Sequence, residues 1–168
     1  MTIDEKLKAF FEGKKVVILG FGREGRSTLK LLGSCNCKSI TVADMNPVPE
    51  SEAEGCTLCC GEDYLTCLDD CDIIMKAPGV ILKSIVSDEI KAKITSQTDL
   101  FLRFCDNMII GITGTKGKST TSSLIKFFIE KSGKDTMLIG NIGVPPLERR
   151  EEFTKDCVIV CELSLIHI

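Results

Sequence analysis

No apolar run in these 168 residues approaches the ~20 needed for a helix to cross a bilayer, so a helical membrane span is excluded. Basic charge is also short: 21 Lys and Arg face 24 Asp and Glu, for a net charge of −3. That balance lacks the electrostatic footprint of a nucleic-acid binder. No repeat of solenoid type and no low-complexity segment is present. The first fifteen residues set Leu7, Phe10 and Phe11 against Asp4, Glu5, Lys6 and Lys8, a charged amphipathic stretch rather than a secretory leader. A cytoplasmic protein is expected. With 43% apolar and 27% charged residues, the composition is that of an ordinary globular chain, long enough for one medium domain or two small ones.

Cysteine, by contrast, is abundant, with ten in the chain. Nothing points to export, so a disulfide framework is not expected. Cys56, Cys59, Cys60, Cys67 and Cys71 cluster and include one C-x-x-C, which raises zinc. The second pair, Cys67 and Cys71, is spaced more loosely than structural zinc sites favour. The preferred reading is that Cys56 to Cys60 form a strand and that cysteine serves as a small apolar residue.

Two nucleotide-type units follow each other. The first opens with the apolar run Val16 to Leu19, suited to a strand buried on both faces. It enters Gly20-Phe21-Gly22-Arg23-Glu24-Gly25, a G-x-G-x-x-G turn leading into a helix with Leu29, Leu31 and Leu32. A second strand, Ser39 to Ala43, ends at Asp44, about 20 residues beyond the glycines, where a Rossmann unit places an acid on a ribose. Strand three is expected at Cys56 to Cys60. Strand four, Ile73 to Ala77, leads into Pro78-Gly79-Val80. A helix and connector fill residues 88–105. Alternating strands and helices predict an α/β fold with a Rossmann-like parallel sheet.

The second unit begins near Asn107. The strand Met108 to Ile112 runs into Gly111-Ile112-Thr113-Gly114-Thr115-Lys116-Gly117-Lys118-Ser119-Thr120-Thr121. A glycine turn can aim backbone amides into one concavity, a helix start adds its positive end, and Lys118 supplies a mobile cation. These features suit a triphosphate. A hydroxyl directly after the lysine, here Ser119, can ligate Mg²⁺ between phosphates. The spacing is tighter than the common phosphate loop, because Ile112 stands where that pattern wants glycine. Lys118 to Lys131 is predicted to be a helix with Leu124, Ile125, Phe128 and Ile129 on its packed side and Gly133 capping it. Met137 to Ile139 forms a strand before Gly140-Asn141-Ile142-Gly143, and Pro145-Pro146 opens a short helix. Residues 149–152 are expected to be a solvated helix face. The strand Val158 to Cys161 ends at Glu162, an acid placed to hold Mg²⁺ beside the phosphate loop.

Thr113 to Thr120 resembles the ATP loop of the Mur ligase family. The resemblance extends through Gly20 to Ser27, Ala77-Pro78-Gly79-Val80, Gly140 to Gly143 and Glu162-Leu163-Ser164, and so covers almost the whole chain. It implies a Rossmann-like UDP-substrate domain over 1–106 and a partial P-loop-type ATP domain over 107–168, with a C-terminal domain absent. It further implies an ATP-dependent ligase that adds D-glutamate to UDP-N-acetylmuramoyl-L-alanine through an acyl phosphate, in peptidoglycan precursor synthesis for cell-wall growth and division. ATP and Mg²⁺ are the implied cofactors, and the implied full-length protein is a monomer. Gly20, Gly22, Arg23, Glu24, Asp44 and Gly79 are implied along the UDP part of the substrate, and Asn141 at the muramoyl part. Gly114, Thr115, Lys116, Gly117, Lys118, Ser119 and Thr120 are implied on ATP, with Lys118 catalytic and Ser119 and Glu162 on the metal. D-Glutamate is favoured by the glycine turn and Ala77 to Val80. The alternatives are L-alanine addition to UDP-N-acetylmuramate, or an NAD-binding Rossmann protein. The tail Leu165-Ile166-His167-Ile168 departs from the family pattern, so His167, the single histidine, is given no role. An incomplete fragment, inactive alone, is expected.

Overall fold

The computed structural model describes residues 1–82, 86–140 and 144–163. The chain divides into two compact units, Met1–Leu100 and Phe101–Ile168.

In the first unit, helix α1 (Ile3–Phe11) begins with a reciprocal cap. Thr2 Oγ1 accepts the Glu5 N–H at 3.2 Å while the Glu5 carboxylate accepts the Thr2 N–H at 2.8 Å. Its apolar side buries Leu7 and Phe11. Strands β1 (Lys15–Leu19), β2 (Ser39–Asp44), β3 (Thr57–Cys60), β4 (Ile73–Lys76) and β5 (Ile94–Thr95) form one parallel sheet in the order β3-β2-β1-β4-β5. Helix α2 (Arg23–Leu32) packs on β1 and β4. Val17 and Leu19 on one face of β1 join Ala43, Leu68, Cys71 and Ile74 in a core, which Tyr64, Cys67 and Val80 help cover. Cys67 and Cys71 thus pack as apolar residues. Among the described residues no group of three or more His, Cys, Asp or Glu could hold a metal. The connector expected over 88–105 contains α3 (Asp88–Lys93), β5 and α4 (Gln97–Phe104). At two residues, β5 is too short to show alternation in sequence.

In the second unit, β6 (Ile109–Ile112), β7 (Thr136–Gly140) and β8 (Val158–Glu162) form a parallel sheet in the order β6-β8-β7. Central β8 is buried along its full length. Helix α5 (Lys118–Lys131) has the predicted bounds, and Gly133, at φ +80°, closes it by donating to Glu130 O. Its packed side is only in part the predicted one. Leu124 and Phe128 are 51% and 66% exposed, whereas Ser122 is buried and Ile125 and Ile129 are half-buried. Lys118 at the helix start folds back onto Gly114, and α5 packs on β6, β7 and β8. Pro145-Pro146 opens a hydrogen-bonded turn instead of the predicted α-helix, and residues 150–152 make a single 3-10 turn on which Arg149 pairs with Glu152. Ligands of open α/β sheets gather at carboxyl strand ends, so the loops after β1, β2, β4, β6, β7 and β8 are the places to look.

Candidate nucleotide sites

At the carboxyl edge of the first sheet, Leu19 lies beside Ala43 and Lys76, so the turns after β1, β2 and β4 are neighbours. This register brings Gly20, Gly22, Arg23, Glu24, Asp44 and Gly79 to one edge. The glycines differ in what they do. Gly20 has φ +92°, and a Cβ there would lie 2.6 Å from Val80 Cγ2. A Cβ on Gly25 would lie 2.2 Å from Gly20 O, so helix α2 approaches the turn at a distance only glycine permits. Gly22 meets nothing and is the N-cap of α2, with no side chain capping the helix amides. Those amides stay available to an anion.

Asp44 clamps this turn. Its Oδ2 accepts the Phe21 N–H at 2.7 Å, and Oδ1 accepts the Asn46 N–H at 2.8 Å. Burial works against the charged carboxylate, but these hydrogen bonds and the Arg26 charge hold Asp44 below its ordinary range. Arg26, unremarked in the sequence, donates to Phe21 O at 2.6 Å, lies over the Phe21 ring and pairs with Glu52.

Deeper in the edge, Gln97 Nε2 donates to Thr28 Oγ1 at 2.9 Å and to Glu24 O at 3.2 Å. Burial pushes the Glu24 carboxyl up, with the Lys76 charge opposing. Burial pulls the Lys76 ammonium down, with Glu24 opposing. Lys76 was also missed, although a lysine ending the apolar run Ile73-Ile74-Met75 just before Ala77-Pro78-Gly79 was a visible signal.

The carboxyl edge of the second sheet carries the glycine loop that leads into α5. Gly114 has φ +146° and Gly117 φ +77°, conformations that L side chains rarely adopt. Gly117 is the N-cap of α5 and offers no side-chain cap, so the first amides of the helix lack an acceptor from it. Thr115, Lys116, Ser119 and Thr120 are exposed around that end. Lys118 Nζ donates to Gly114 O at 2.7 Å, which keeps the cation at the loop.

Glu162 ends the central strand, between Ile112 of β6 and Gly140 of β7. It is not a solvated acid: the residue is 4% exposed, and its Oε2 has no hydrogen-bond partner among the described residues. An orphaned buried carboxylate oxygen costs free energy unless a cation or donor reaches it. This residue therefore fits a divalent cation. Mg²⁺ keeps several waters and takes few protein ligands, so a single buried carboxylate is compatible with it. Gly140 is forced at this edge, since its Cβ would lie 2.2 Å from Glu162 O. Asn141 lies outside the described residues, as does His167.

No protein-family model matches the chain. Its curated relatives include a UDP-N-acetylmuramoylalanine–D-glutamate ligase of Clostridium botulinum, 35% identical over 95% of this chain. A ligase of the same name from Shouchella clausii is 32% identical over 90% of the chain. The chain spans 37% of the length of the first and 36% of the second. A solved structure of HcgC from Methanococcus maripaludis, cocrystallized with SAH and pyridinol, covers 71% of this chain and 46% of that one. Its TM-score is 0.36 at 16% identity, too slight a likeness to carry an argument. The chain is thus a homologue of the N-terminal part of UDP-N-acetylmuramoylalanine–D-glutamate ligases.

Proposed function

We propose that this chain supplies the UDP-substrate site and the ATP-phosphate site of a cytoplasmic, monomeric ligase that joins D-glutamate to UDP-N-acetylmuramoyl-L-alanine in peptidoglycan precursor synthesis. The orphaned Oε2 of Glu162, on the edge where the uncapped amides of α5 end, carries the ATP half of the proposal. The names of the relatives support the substrate half.

A carboxylate does not acylate an amine at neutral pH. The substrate carboxylate must first take the γ-phosphoryl group of ATP, releasing ADP; the amine then attacks the acyl phosphate and phosphate leaves. Lys118 and the amides of Gly114 to Thr120 would hold and orient the phosphates and stabilise charge on the transferring group. Ser119 and Glu162 would hold Mg²⁺, which neutralises phosphate charge when bound. In the first unit, Gly20, Gly22, Arg23, Glu24, Asp44 and Gly79 would line the UDP portion. Asn141 is proposed at the muramoyl portion.

Calorimetry on the chain tests both halves. Binding of UDP-N-acetylmuramoyl-L-alanine but not of NAD⁺ is expected, and MgATP binding should be lost in Lys118→Ala with the UDP ligand unaffected. NAD⁺ binding without a response to the UDP ligand would sink the ligase proposal. In a protein of the relatives' full length, ADP formation should require both the muramoyl substrate and D-glutamate; a requirement for L-alanine with UDP-N-acetylmuramate instead would reassign the amino acid.

A further inference from the structure

We infer that Lys76 is a ligand residue of the first unit, contributing its ammonium to the diphosphate of the bound nucleotide; this rests on the uridine-diphosphate reading of that site. Lys76 ends β4 directly beside Leu19, the last residue before the glycine turn. Its Nζ donates to Val80 O at 3.0 Å and to Ala77 O at 3.2 Å. Val80 in turn packs against Gly20, so the ammonium is tied to the segment that touches the turn. The same edge presents the uncapped amides of α2.

An ammonium has three donors. Two are used by these carbonyls, and among the described residues no third acceptor and no ion-pair partner is found. Glu24 is close enough to influence the charge but forms no ion pair with it. The cation is half-buried, and burial disfavours its charge. An arriving phosphate oxygen would complete the donor set and offset that charge. Lysine serves phosphate well as a compact point charge. A purely structural role, pinning the turn at 77–80, would use only the two carbonyl bonds.

The test uses phosphate as the variable. The 168-residue chain, in a Lys118→Ala background so that the second loop contributes nothing, is titrated by NMR with UDP and with uridine. Before Lys76 is altered, UDP should bind more tightly than uridine. Lys76→Gln, which keeps a donor for the carbonyls but loses the charge, should weaken UDP by about 10- to 100-fold, the worth of one charged hydrogen bond. Uridine should change less than twofold. Equal weakening of both ligands would show a turn pin only, and an unchanged gap would show no role; either overturns the inference while leaving the uridine site standing. If the unaltered site binds neither ligand, the uridine-diphosphate reading fails, and Lys76 with it. Should Lys76→Gln not fold, the Lys76 side-chain Cε resonance, assigned through Lys76→Arg, must move with UDP and not with uridine. A resonance that ignores UDP overturns the inference.

Discussion

Replacing Gly25 with alanine should damage the first unit more than replacing Gly22, although both glycines belong to one motif. At Gly25 the new Cβ would lie 2.2 Å from the Gly20 carbonyl oxygen and 3.1 Å from its carbon. Those are backbone atoms, so no side chain can swing aside. Gly20 cannot yield easily, since its own α-carbon faces Val80 Cγ2 and Ala77 Cβ across a gap that admits no Cβ. Helix α2 must therefore withdraw by roughly 1 Å, with loss of its contacts on β1 and β4, and overpacking of this kind costs about 1–3 kcal/mol. In a domain near 100 residues, that lowers Tm by roughly 5–20 °C. At Gly22 the Cβ meets nothing within 4 Å, and no positive φ is required. Gly22→Ala should cost only about 0.5–1 kcal/mol, the loss of a glycine N-cap without any clash. The readout is convenient, because the chain has one tyrosine and no tryptophan. Tyr64 packs against the first unit's core, so tyrosine emission follows that unit alone. Coincident melting of Gly25→Ala and parent, or equal damage from Gly22→Ala, would refute the close-approach argument.

Glu162→Gln, which keeps the side-chain shape but removes the carboxylate, should abolish any stabilisation of the second unit by Mg²⁺ with an ATP analogue; calorimetric melts with and without the metal check this. Asp44 is held below its ordinary range in the fold, so the stability it contributes is present above the unfolded carboxylate value and is lost as pH falls through the folded one. From about pH 4 downward the parent should therefore lose more Tyr64-reported stability than Asp44→Asn, and parallel curves would refute the clamp. Cys67 is pushed up to about 12 by burial and by neighbouring Cys59, so at pH 8 it should react with iodoacetamide at least about 100-fold more slowly than in the urea-unfolded chain, as peptide mass spectrometry would reveal. Rapid labelling of Cys67 in the folded chain would contradict its place against the core.

Much of this fold is legible in sequence because its signals are local. The bounds of α5 follow from a loop glycine at one end and Gly133 at the other, and the strand runs stand out as apolar segments between glycine turns. The phase of α5 was not legible. Leu124 and Phe128 share helical spacing with Ile125 and Ile129, and hydrophobicity alone does not say which of them pack. Strand β5 escaped notice because two residues show no period.

The sequence by itself determined where phosphate-binding backbone could form, since glycine spacing, strand length and the position of Lys118 are properties of short segments. Only the tertiary structure decided which residues meet there. Glu162 became an orphaned buried carboxylate because β8 inserts between β6 and β7, and Asp44 became a clamp because β2 pairs beside β1. Lys76 reached the glycine turn because β4 lies on the other side of β1. Parallel strands bring together residues far apart in the chain, and the order in which they pair belongs to the assembled sheet, which no local spacing records.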